Sequence, residues 1–378
     1  MIIEGTFTLN SSLDFASNLL SKYCYDDSNT DMPIIVLMHG FRGSIDNISS
    51  GMMQRIANEG FFVLAAGMRG RKGASGYRDA SGREIYDIYD AVNYVKKHFP
   101  VSDKVCISGY SGGGGNALAA ATKFPDTFNV VVDHFGMSDY GYDQTYGWYY
   151  TNPSYQNDIV NFIGDTPESA PEKYLSRAHI FGVNNFKGEI YVFHDSEDAA
   201  VSILQSQRLE EIQGDYINGY FFYSGPGDSV RYFHDIDTSQ ITEPIWLPRA
   251  QAVEPQELAS TGSVRVCGYI VTKDFKIFLG NLDDRTADVT YDLNENRFVV
   301  TPLSGETLVR IVNKDGLSAT QVIADTTEII LMESTGRIKY FFMKDGSSFQ
   351  RVKNIFVKDG VWKQVKVYQD DPNMPTSS

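Results

Sequence analysis

Residues 106–115 read CISGYSGGGG, and this stretch decides the predicted fold. It contains Gly-x-Ser-x-Gly, the pattern in which a strand turns sharply into a helix and presents a serine at the apex. Small residues are needed beside that serine because larger side chains would clash where the strand meets the helix. Residues 105–107 supply a β-branched strand and residues 116–124 supply a helix. The stretch therefore makes Ser111 a candidate nucleophile.

A phosphate-binding loop is the alternative interpretation of this glycine-rich turn. Such a loop requires a lysine followed by serine or threonine after its last glycine. Asn116 and Ala117 occupy those two positions, so the sequence favours the serine turn.

A serine nucleophile needs a histidine base, and the chain has six histidines. Hydrolases with this serine turn carry nucleophile, acid and histidine in that order along the chain. Only His234 lies downstream of an acid-bearing strand end, which gives Ser111, Asp198 and His234 as the catalytic candidates. Asp198 would orient the imidazole, which would take the serine proton and return it to the leaving group. Asp195 and Glu197 compete for the acid position, and a surface loop histidine is the alternative interpretation of His234.

Residues from about 30 to 240 resemble an α/β-hydrolase of the prolyl oligopeptidase and acyl-esterase type. Residues 32–40, MPIIVLMHG, are similar to the strand and His-Gly turn of that family. The resemblance implies that the backbone amides of Phe41 and Gly112 form an oxyanion hole, where each donor contributes about 3 kcal/mol. It also implies a doubly wound, mostly parallel sheet.

Two further segments carry the resemblance. Residues 69–76, RGRKGASG, are similar to the family's RGxGxSxG loop, which leads into a helix. Residues 194–201, HDSEDAAV, are similar to its HGxxDxxV segment, with Asp195 in place of the usual glycine. This second match is the reason to prefer Asp198 as the acid. The segment around His234 lacks the glycines that often flank the family histidine.

The chain predicts an α/β unit followed by a β-rich unit. Strands alternate with helical segments from 33 to 237, and residues 2–25 alternate as edge strands do. A helix packed on the sheet is predicted by apolar residues spaced at 3, 4 and 3 positions, namely Ile85, Ile88, Val92 and Val95. The predicted boundaries are 1–247 for the α/β-hydrolase domain, 248–262 for a proline-containing linker, 263–335 for an all-β sandwich-like domain, and 336–378 for a β-hairpin tail.

An aromatic-rich insertion over about 138–182 interrupts the alternation of strands and helices. Related hydrolases place a cap over the active site at this position, and aromatic rings often hold carbohydrate by stacking on sugar faces. Tyr146 and Trp148, together with Tyr110 beside the serine, are therefore candidate substrate-binding residues. Packing of these rings between the cap and the sheet is the alternative.

The composition limits the function classes. A chain of 378 residues with 42% hydrophobic content is long enough for two domains. Its net charge of -15 argues against nucleic acid or an anionic membrane surface as the main partner. No stretch approaches the ~18 apolar residues of a membrane span, and the start lacks a signal-peptide pattern, so we expect synthesis in a cytoplasm. Three widely spaced cysteines predict neither disulfides nor a zinc site, and no cofactor is expected.

The C-terminal region contains a near-repeat. Residues 342–353 and 356–366 each place Asp-Gly between alternating runs, which is a hairpin signal. Residues 355–363, IFVKDGVWK, resemble a segment common in structural proteins of tailed bacteriophage. The resemblance implies other tail or baseplate proteins as partners and the virion as location. A free cytoplasmic protein is the alternative, and a homo-oligomer is left open.

These features together predict a serine hydrolase that acts on ester bonds. The expected substrates are small esters or ester groups of bacterial surface glycopolymers, such as O-acetyl or D-alanyl esters; the polymer follows from the phage location alone. Two alternatives stay open. One is a peptidase of the prolyl oligopeptidase type, and the other is a catalytically silent structural or receptor-binding tail component.

Overall fold

The structure, a computed structural model, describes residues 1–332 and, for the backbone alone, residues 342–345, 348–351, 354–359 and 361–366. The strands of the α/β unit are β1 Ile2–Leu9, β2 Leu19–Asp26, β3 Met32–Met38, β4 Phe62–Ala65, β5 Val101–Tyr110, β6 Val130–His134, β7 Glu189–Asp195 and β8 Asn218–Ser224. The helices are α1 Ser50–Asn58, α2 Glu84–His98, α3 Gly112–Lys123, α4 Trp148–Thr151, α5 Gln156–Ile163, α6 Pro171–Leu175, α7 Leu204–Gln213 and α8 Thr238–Ala252.

The first eight strands form one sheet in the order β1-β2-β4-β3-β5-β6-β7-β8. Strands β1 and β2 pair antiparallel at one edge, β2 also runs antiparallel to β4, and the pairs from β4 through β8 are parallel. This confirms the predicted edge strands and the doubly wound, mostly parallel sheet. Because parallel strands end at the same edge, the loops after β3, β4, β5, β7 and β8 meet there.

Helices cover the sheet because its strands are apolar on both faces. All seven residues of β3 are buried, as expected of a central parallel strand. The predicted face of α2 is confirmed, since Ile85, Ile88, Val92 and Val95 are fully buried. All twelve residues of α3 are buried, because its glycine and alanine positions let the helix lie close to the sheet. The strand that carries the candidate serine is therefore fixed on both sides.

The C-terminal unit contains β9 Thr261–Cys267, β10 Tyr269–Val271, β11 Phe275–Leu279, β12 Thr286–Asp292, β13 Arg297–Pro302, β14 Thr307–Asn313, β15 Ser318–Ile323 and β16 Thr327–Ile330. They form two four-stranded antiparallel sheets, β10-β11-β14-β15 and β16-β13-β12-β9. The predicted all-β unit is confirmed. Buried residues of both sheets belong to one core cluster, which supports the sandwich prediction.

The predicted linker over 248–262 is wrong in its first part. Helix α8 continues to Ala252 with Pro244 and Pro248 inside it, and irregular chain begins only at Val253. Trp246 and Ala250 of this helix are fully buried in the core of the α/β unit. Their burial holds the helix together past prolines that would otherwise end it.

The two units share buried contacts. Lys123 at the end of α3 donates to the carbonyl of Cys267, and its ammonium lies 4.5 Å from the centre of the Tyr269 ring. Burial lowers the pKa of Lys123 to about 8. Arg177 donates to the carbonyl of Asp283 at 2.6 Å. The β unit is therefore docked on the α/β unit through polar contacts as well as apolar ones.

Two hairpins are described near the C-terminus. The strands β17 Phe342–Asp345 and β18 Ser348–Arg351 pair antiparallel, as do β19 Asn354–Asp359 and β20 Val361–Lys366. The pairing confirms the predicted hairpins. The rest of the predicted tail over 336–378 lies outside the described residues. Within the described part of the chain, no helix has the length and apolarity to cross a membrane.

Candidate active site

Ser111 lies at a strained turn between β5 and α3. Its φ of 54° and ψ of -121° are unfavourable for a residue with a side chain, as expected for a serine at the apex of such a turn. The turn depends on two glycines. A Cβ atom on Gly109 would lie 2.1 Å from the carbonyl oxygen of Gly113, and one on Gly113 would lie 2.4 Å from that of Met38. The GxSxG pattern is therefore explained by close backbone approach.

Asp198 and His234 are hydrogen-bonded to each other. The distance from His234 Nδ1 to Asp198 Oδ2 is 2.7 Å. Asp198 lies in the loop after β7, and its side chain is fully buried; His234 lies in the loop after β8, and its side chain is 26% exposed. An inaccessible acid and a partly accessible imidazole suit the roles of orienting group and base.

Asp198 remains ionised because several donors face it. Burial raises its pKa, but the hydrogen bonds from His194 and His234 and the backbone N–H of Val201 outweigh that effect and hold the pKa well below its usual value. His194 Nε2 lies 3.4 Å from Asp198 Oδ2 and 2.9 Å from the carbonyl oxygen of Val201. The carboxylate is therefore held from two sides.

The two competing acids bind a different partner. Asp195 receives hydrogen bonds from Nε and Nη2 of Arg231 at 2.5 and 2.6 Å and from the Ser224 hydroxyl at 2.6 Å. Glu197 also accepts from Arg231, at 2.7 Å. The structure thus brings Asp198 to His234 and brings Asp195 and Glu197 to an arginine.

His234 lies near the serine turn through Phe135. The two rings are 4.4 Å apart between centroids. The backbone carbonyl of His134, the residue before Phe135, accepts a hydrogen bond from the backbone N–H of Ser111 at 2.9 Å. The hydrogen bonds of the described residues do not include a direct one from Ser111 Oγ to His234. Catalytic hydrogen bonds are often long in enzymes without bound substrate and shorten in the substrate complex.

Two backbone amides, one in the loop after β3 and one at the start of α3, lie beside the serine turn. A Cβ atom on Gly112 would lie 2.5 Å from the backbone nitrogen of Phe41, so the two residues are in close contact. Gly112 is the first residue of α3, where a helix offers its N–H no internal acceptor. Phe41 N–H has no hydrogen-bond partner in residues 1–332. Both predicted oxyanion donors are therefore available to a ligand.

The predicted substrate-binding rings are buried. Tyr146 is 2% exposed, Trp148 is 1% exposed, and Trp148 Nε1 donates to the carbonyl of Ala200 at 2.8 Å. Tyr110 is 5% exposed, and its ring stacks on His134 at a centroid distance of 5.0 Å. Substrate binding by these three residues stays a prediction, and their burial favours packing instead.

Sequence reasoning missed His194 and Arg231 as neighbours of the site. A signal for Arg231 was present, since Asp195 and Asp198 are three residues apart and so are Arg231 and His234. Two loops with matched spacing can form two parallel pairs. Among the residues that the structure describes, no group of three or more histidine, cysteine or acidic side chains is arranged to hold a metal ion.

The prolyl oligopeptidase family model matches residues 47–211. This segment includes the serine turn and Asp198 but ends before His234. The comparison supports the description of the α/β unit as an α/β-hydrolase related to that family. It gives no support to the predicted likeness of the C-terminal segment to phage tail proteins.

Among curated proteins, the uncharacterized peptidase YtmA of Bacillus subtilis is 28% identical over 169 residues, which are 44% of this chain and 64% of that protein. The chain thus spans less than two thirds of this relative. Among solved structures, the acylaminoacyl peptidase of Pyrococcus horikoshii has a TM-score of 0.52 at 19% identity, over 65% of this chain and 41% of that one. Esterase B from Lactobacillus Rhamnosis has a TM-score of 0.50 at 15% identity, over 66% and 85%. At these identities the structures show a shared fold.

Proposed function

We propose that this protein is a serine hydrolase that transfers acyl groups to water, with Ser111 as nucleophile, His234 as general base and Asp198 as the orienting acid. The observation that carries the proposal is the 2.7 Å hydrogen bond between His234 Nδ1 and Asp198 Oδ2. It joins two loops that end at the same sheet edge as the strained serine turn. A histidine oriented by a buried carboxylate is the arrangement that activates a serine hydroxyl.

The proposed reaction follows from these positions. His234 Nε2 takes the proton from Ser111 Oγ while Oγ attacks the substrate carbonyl carbon. The negative charge that develops on the carbonyl oxygen is stabilised by the N–H groups of Phe41 and Gly112, each worth about 3 kcal/mol. His234 then gives its proton to the leaving group, and an acyl-serine remains. A water molecule, deprotonated by His234, releases the acid and restores the serine.

The proposal is tested by hydrolysis of short-chain p-nitrophenyl esters and by labelling with a fluorophosphonate. Ser111→Ala should abolish labelling and lower kcat by at least roughly 10³-fold, because no nucleophile remains. The matched control is Ser108→Ala on the same strand. The Ser108 hydroxyl is buried without a partner, so its removal should leave the reaction unchanged. A wild-type protein that neither hydrolyses esters nor reacts with the probe would support the silent structural alternative.

Ester bonds are the proposed substrate class, and peptide bonds are the second candidate. The second candidate is favoured by the family model over residues 47–211 and by the similarity to YtmA, whose name describes a peptidase. Matched p-nitrophenyl esters and p-nitroanilides of the same acyl group separate the two. An esterase should turn over only the ester at a measurable rate, whereas a peptidase should also release p-nitroaniline.

Bacterial surface glycopolymers and a phage tail location are further parts of the proposal. Their support is the short likeness of residues 355–363 to phage structural proteins. The polymer is tested by release of acetate from an O-acetylated bacterial polysaccharide, with the Ser111→Ala variant as control. The location, with tail proteins as partners, is tested by searching purified virions for peptides of this chain.

A further inference from the structure

The order of the strands separates the two sides of a substrate bound at Ser111. Strand β5, which carries the serine turn, lies between β3 and β6. The loops that carry Asp198 and His234 follow β7 and β8 on one side, while the loops after β3 and β4 lie on the other. His234 must deliver a proton to the leaving group, so the leaving group lies toward β7 and β8. The acyl group therefore extends toward the loops after β3 and β4.

Two arginines occupy that acyl side. Arg42 follows Phe41 in the loop after β3, and Arg78 lies in the loop between β4 and α2. Arg78 Nη1 donates to the carbonyl of Arg42 at 3.2 Å, and its Nε donates to the carbonyl of Gly70 at 3.3 Å. These bonds hold the guanidinium of Arg78 against the backbone of the residue that follows the proposed oxyanion donor.

Aromatic rings of the cap hold both arginines beside the site. The guanidinium of Arg42 lies 4.3 Å from the centre of the Tyr155 ring, and that of Arg78 lies 5.6 Å from the Phe162 ring. The Phe162 ring is in turn 4.8 Å from the ring of Phe41. Cation–π contacts of this kind orient a guanidinium and do not neutralise its charge. The two guanidinium groups therefore lie against the same aromatic cluster as the Phe41 ring, which is 6.4 Å from Tyr155 and 4.8 Å from Phe162 between centroids.

Arg78 forms no ion pair within 4.0 Å in residues 1–332, and the carboxylates of Glu84 and Asp158 act on it only from a greater distance. Arg42 pairs with Asp158 of α5. Among the arginines whose side chains the structure describes, only Arg78 and Arg310 lack a carboxylate oxygen within 4.0 Å. Arg310 is exposed on β14, whereas Arg78 is half-buried and its Nη2 takes part in no hydrogen bond with residues 1–332.

The surroundings of Arg78 make an unbalanced charge costly. Burial, with a further contribution from nearby Arg71, lowers the pKa of its guanidinium, and the carboxylates of Glu84 and Asp158 oppose this only in part. The chain as a whole is strongly acidic, with a net charge of -15. An excess of basic residues therefore does not explain why a half-buried arginine has no ion pair. A bound anion would relieve this cost, and a planar guanidinium with a free Nη2 is suited to a carboxylate.

We propose that Arg78, with Arg42, binds a carboxylate on the acyl group of the substrate, so that the preferred substrates are esters of acyl chains that end in a negative charge. This specificity rests on the proposed serine hydrolase function. It predicts selection on the acyl side alone, since the leaving group lies near His234.

The experiment compares kcat/KM for the mono-p-nitrophenyl ester of adipic acid with that for p-nitrophenyl hexanoate. The two esters have the same chain length and differ in a terminal carboxylate against a methyl group. The wild-type ratio should exceed one. Arg78→Gln should lower that ratio roughly tenfold, which corresponds to about 1.4 kcal/mol. Arg78→Lys, which keeps the charge, should restore part of it.

Arg310→Gln is the matched control, because it removes the other arginine without an ion pair, which lies on β14 of the C-terminal unit, and it should keep the wild-type ratio. A second substrate pair, 4-carboxyphenyl hexanoate and phenyl hexanoate, places the carboxylate on the leaving group and should give a ratio that Arg78→Gln does not change.

If Arg78→Gln fails to fold, the ratio for the wild-type protein is measured from about 0.05 to 0.5 M salt, where screening of the arginine charge should reduce the ratio.

The outcomes separate this inference from the proposed function. Hydrolysis of p-nitrophenyl hexanoate that depends on Ser111 supports the serine hydrolase. In that case, a ratio that does not fall in Arg78→Gln overturns the anion site. Where that variant is unfolded, a wild-type ratio that does not respond to salt overturns it in the same way. If the wild-type protein hydrolyses neither ester, both proposals fail.

Discussion

Two acid–base pairs bridge the same two loops but differ in what their partners can do. Asp195 ends β7 and binds Arg231, while Asp198 lies three residues later and binds His234. Both carboxylates are almost completely buried, at 1% and 0% exposure. Arg231 holds its proton at every working pH, whereas an imidazole can release and accept one. Similar geometry therefore yields one pair suited to structure and one suited to catalysis.

The comparison shows how the first pair supports the second. Arg231 and His234 lie in one loop, so the bidentate contact of Arg231 with Asp195 fixes where that loop passes β7. Ser224 at the end of β8 adds a further hydrogen bond to Asp195. The position of His234 against Asp198 depends on this anchor. We therefore expect the two carboxylates to respond differently to the same substitution.

The largest effect is expected for Asp198→Asn. The amide keeps the shape of the side chain but no longer stabilises the imidazolium or selects the tautomer of His234, so kcat should fall by about 10⁴-fold while the fold is retained. Ester hydrolysis and circular dichroism measure the two properties. Asp228→Asn, at an exposed position in the loop after β8, is the control and should keep full activity. An Asp198→Asn enzyme with wild-type kcat would remove Asp198 from the proposed site.

A smaller and different effect is expected for Asp195→Asn. Its hydrogen bonds from Arg231 hold the pKa of Asp195 well below its usual value, although burial opposes this, so the pair stabilises the fold above the pH at which an unfolded aspartate titrates. The neutral amide should lower Tm at pH 7 by roughly 3–6 °C, since it leaves the Arg231 charge without its buried partner. This difference should shrink as the pH falls below the usual aspartate pKa of 3.8, because stability that comes from a lowered pKa is lost as the pH approaches the folded-state value.

Glu197→Gln is the control for that measurement. Glu197 also contacts Arg231, but its side chain is 57% exposed, so Tm should change by no more than about 1–2 °C. Equal losses of Tm in Asp195→Asn and Glu197→Gln would contradict the anchoring role of the buried acid.

The smallest effect concerns His134, a histidine without a carboxylate partner. It is fully buried, with Nε2 2.8 Å from the Thr242 hydroxyl, and burial lowers its pKa to about 3. The folded-state pKa lies below the unfolded value of 6.5, so stability should be lost as the pH falls below 6.5. His134→Gln should reduce the slope of unfolding free energy against pH by up to about 1.4 kcal/mol per pH unit. Urea unfolding at pH 7, 6 and 5 measures it.

The exposed His98 at the end of α2 provides the control for the pH series. His98→Gln makes the same exchange of side chain at the surface, so the two variants separate the effect of the buried position from that of the substitution itself. A His134→Gln protein with the wild-type slope would show that His134 does not contribute to acid destabilisation.

Much of the fold was predictable because its signals are local. The glycine pattern around Ser111 predicted the turn, and the spacing of Ile85, Ile88, Val92 and Val95 predicted the buried face of α2. The β texture after the α/β unit predicted antiparallel sheets. The linker prediction failed because a proline is a local signal against a helix, whereas the burial of Trp246 and Ala250 that sustains α8 is not local.

The candidate site was predictable in part. Chain order selected His234 and left three acids, and only the folded loops distinguish Asp198, beside His234, from Asp195 and Glu197, beside Arg231. The aromatic insertion predicted a cap but not which way its rings face. Tyr146 and Trp148 point into protein, because ring density is the same in a sugar-binding surface and in a packed core.

The sequence by itself determined the serine turn, the alternation of strands and helices, and the all-β character of the C-terminal unit, because each depends on residues close together in the chain. Tertiary structure alone decided which acid meets His234, which rings are covered, and that Arg78 is half-buried without an ion pair against the backbone of Arg42. These outcomes depend on contacts between loops that are tens to more than a hundred residues apart. The sheet order brings such loops to one edge, and the spacing of residues within a loop does not encode that order.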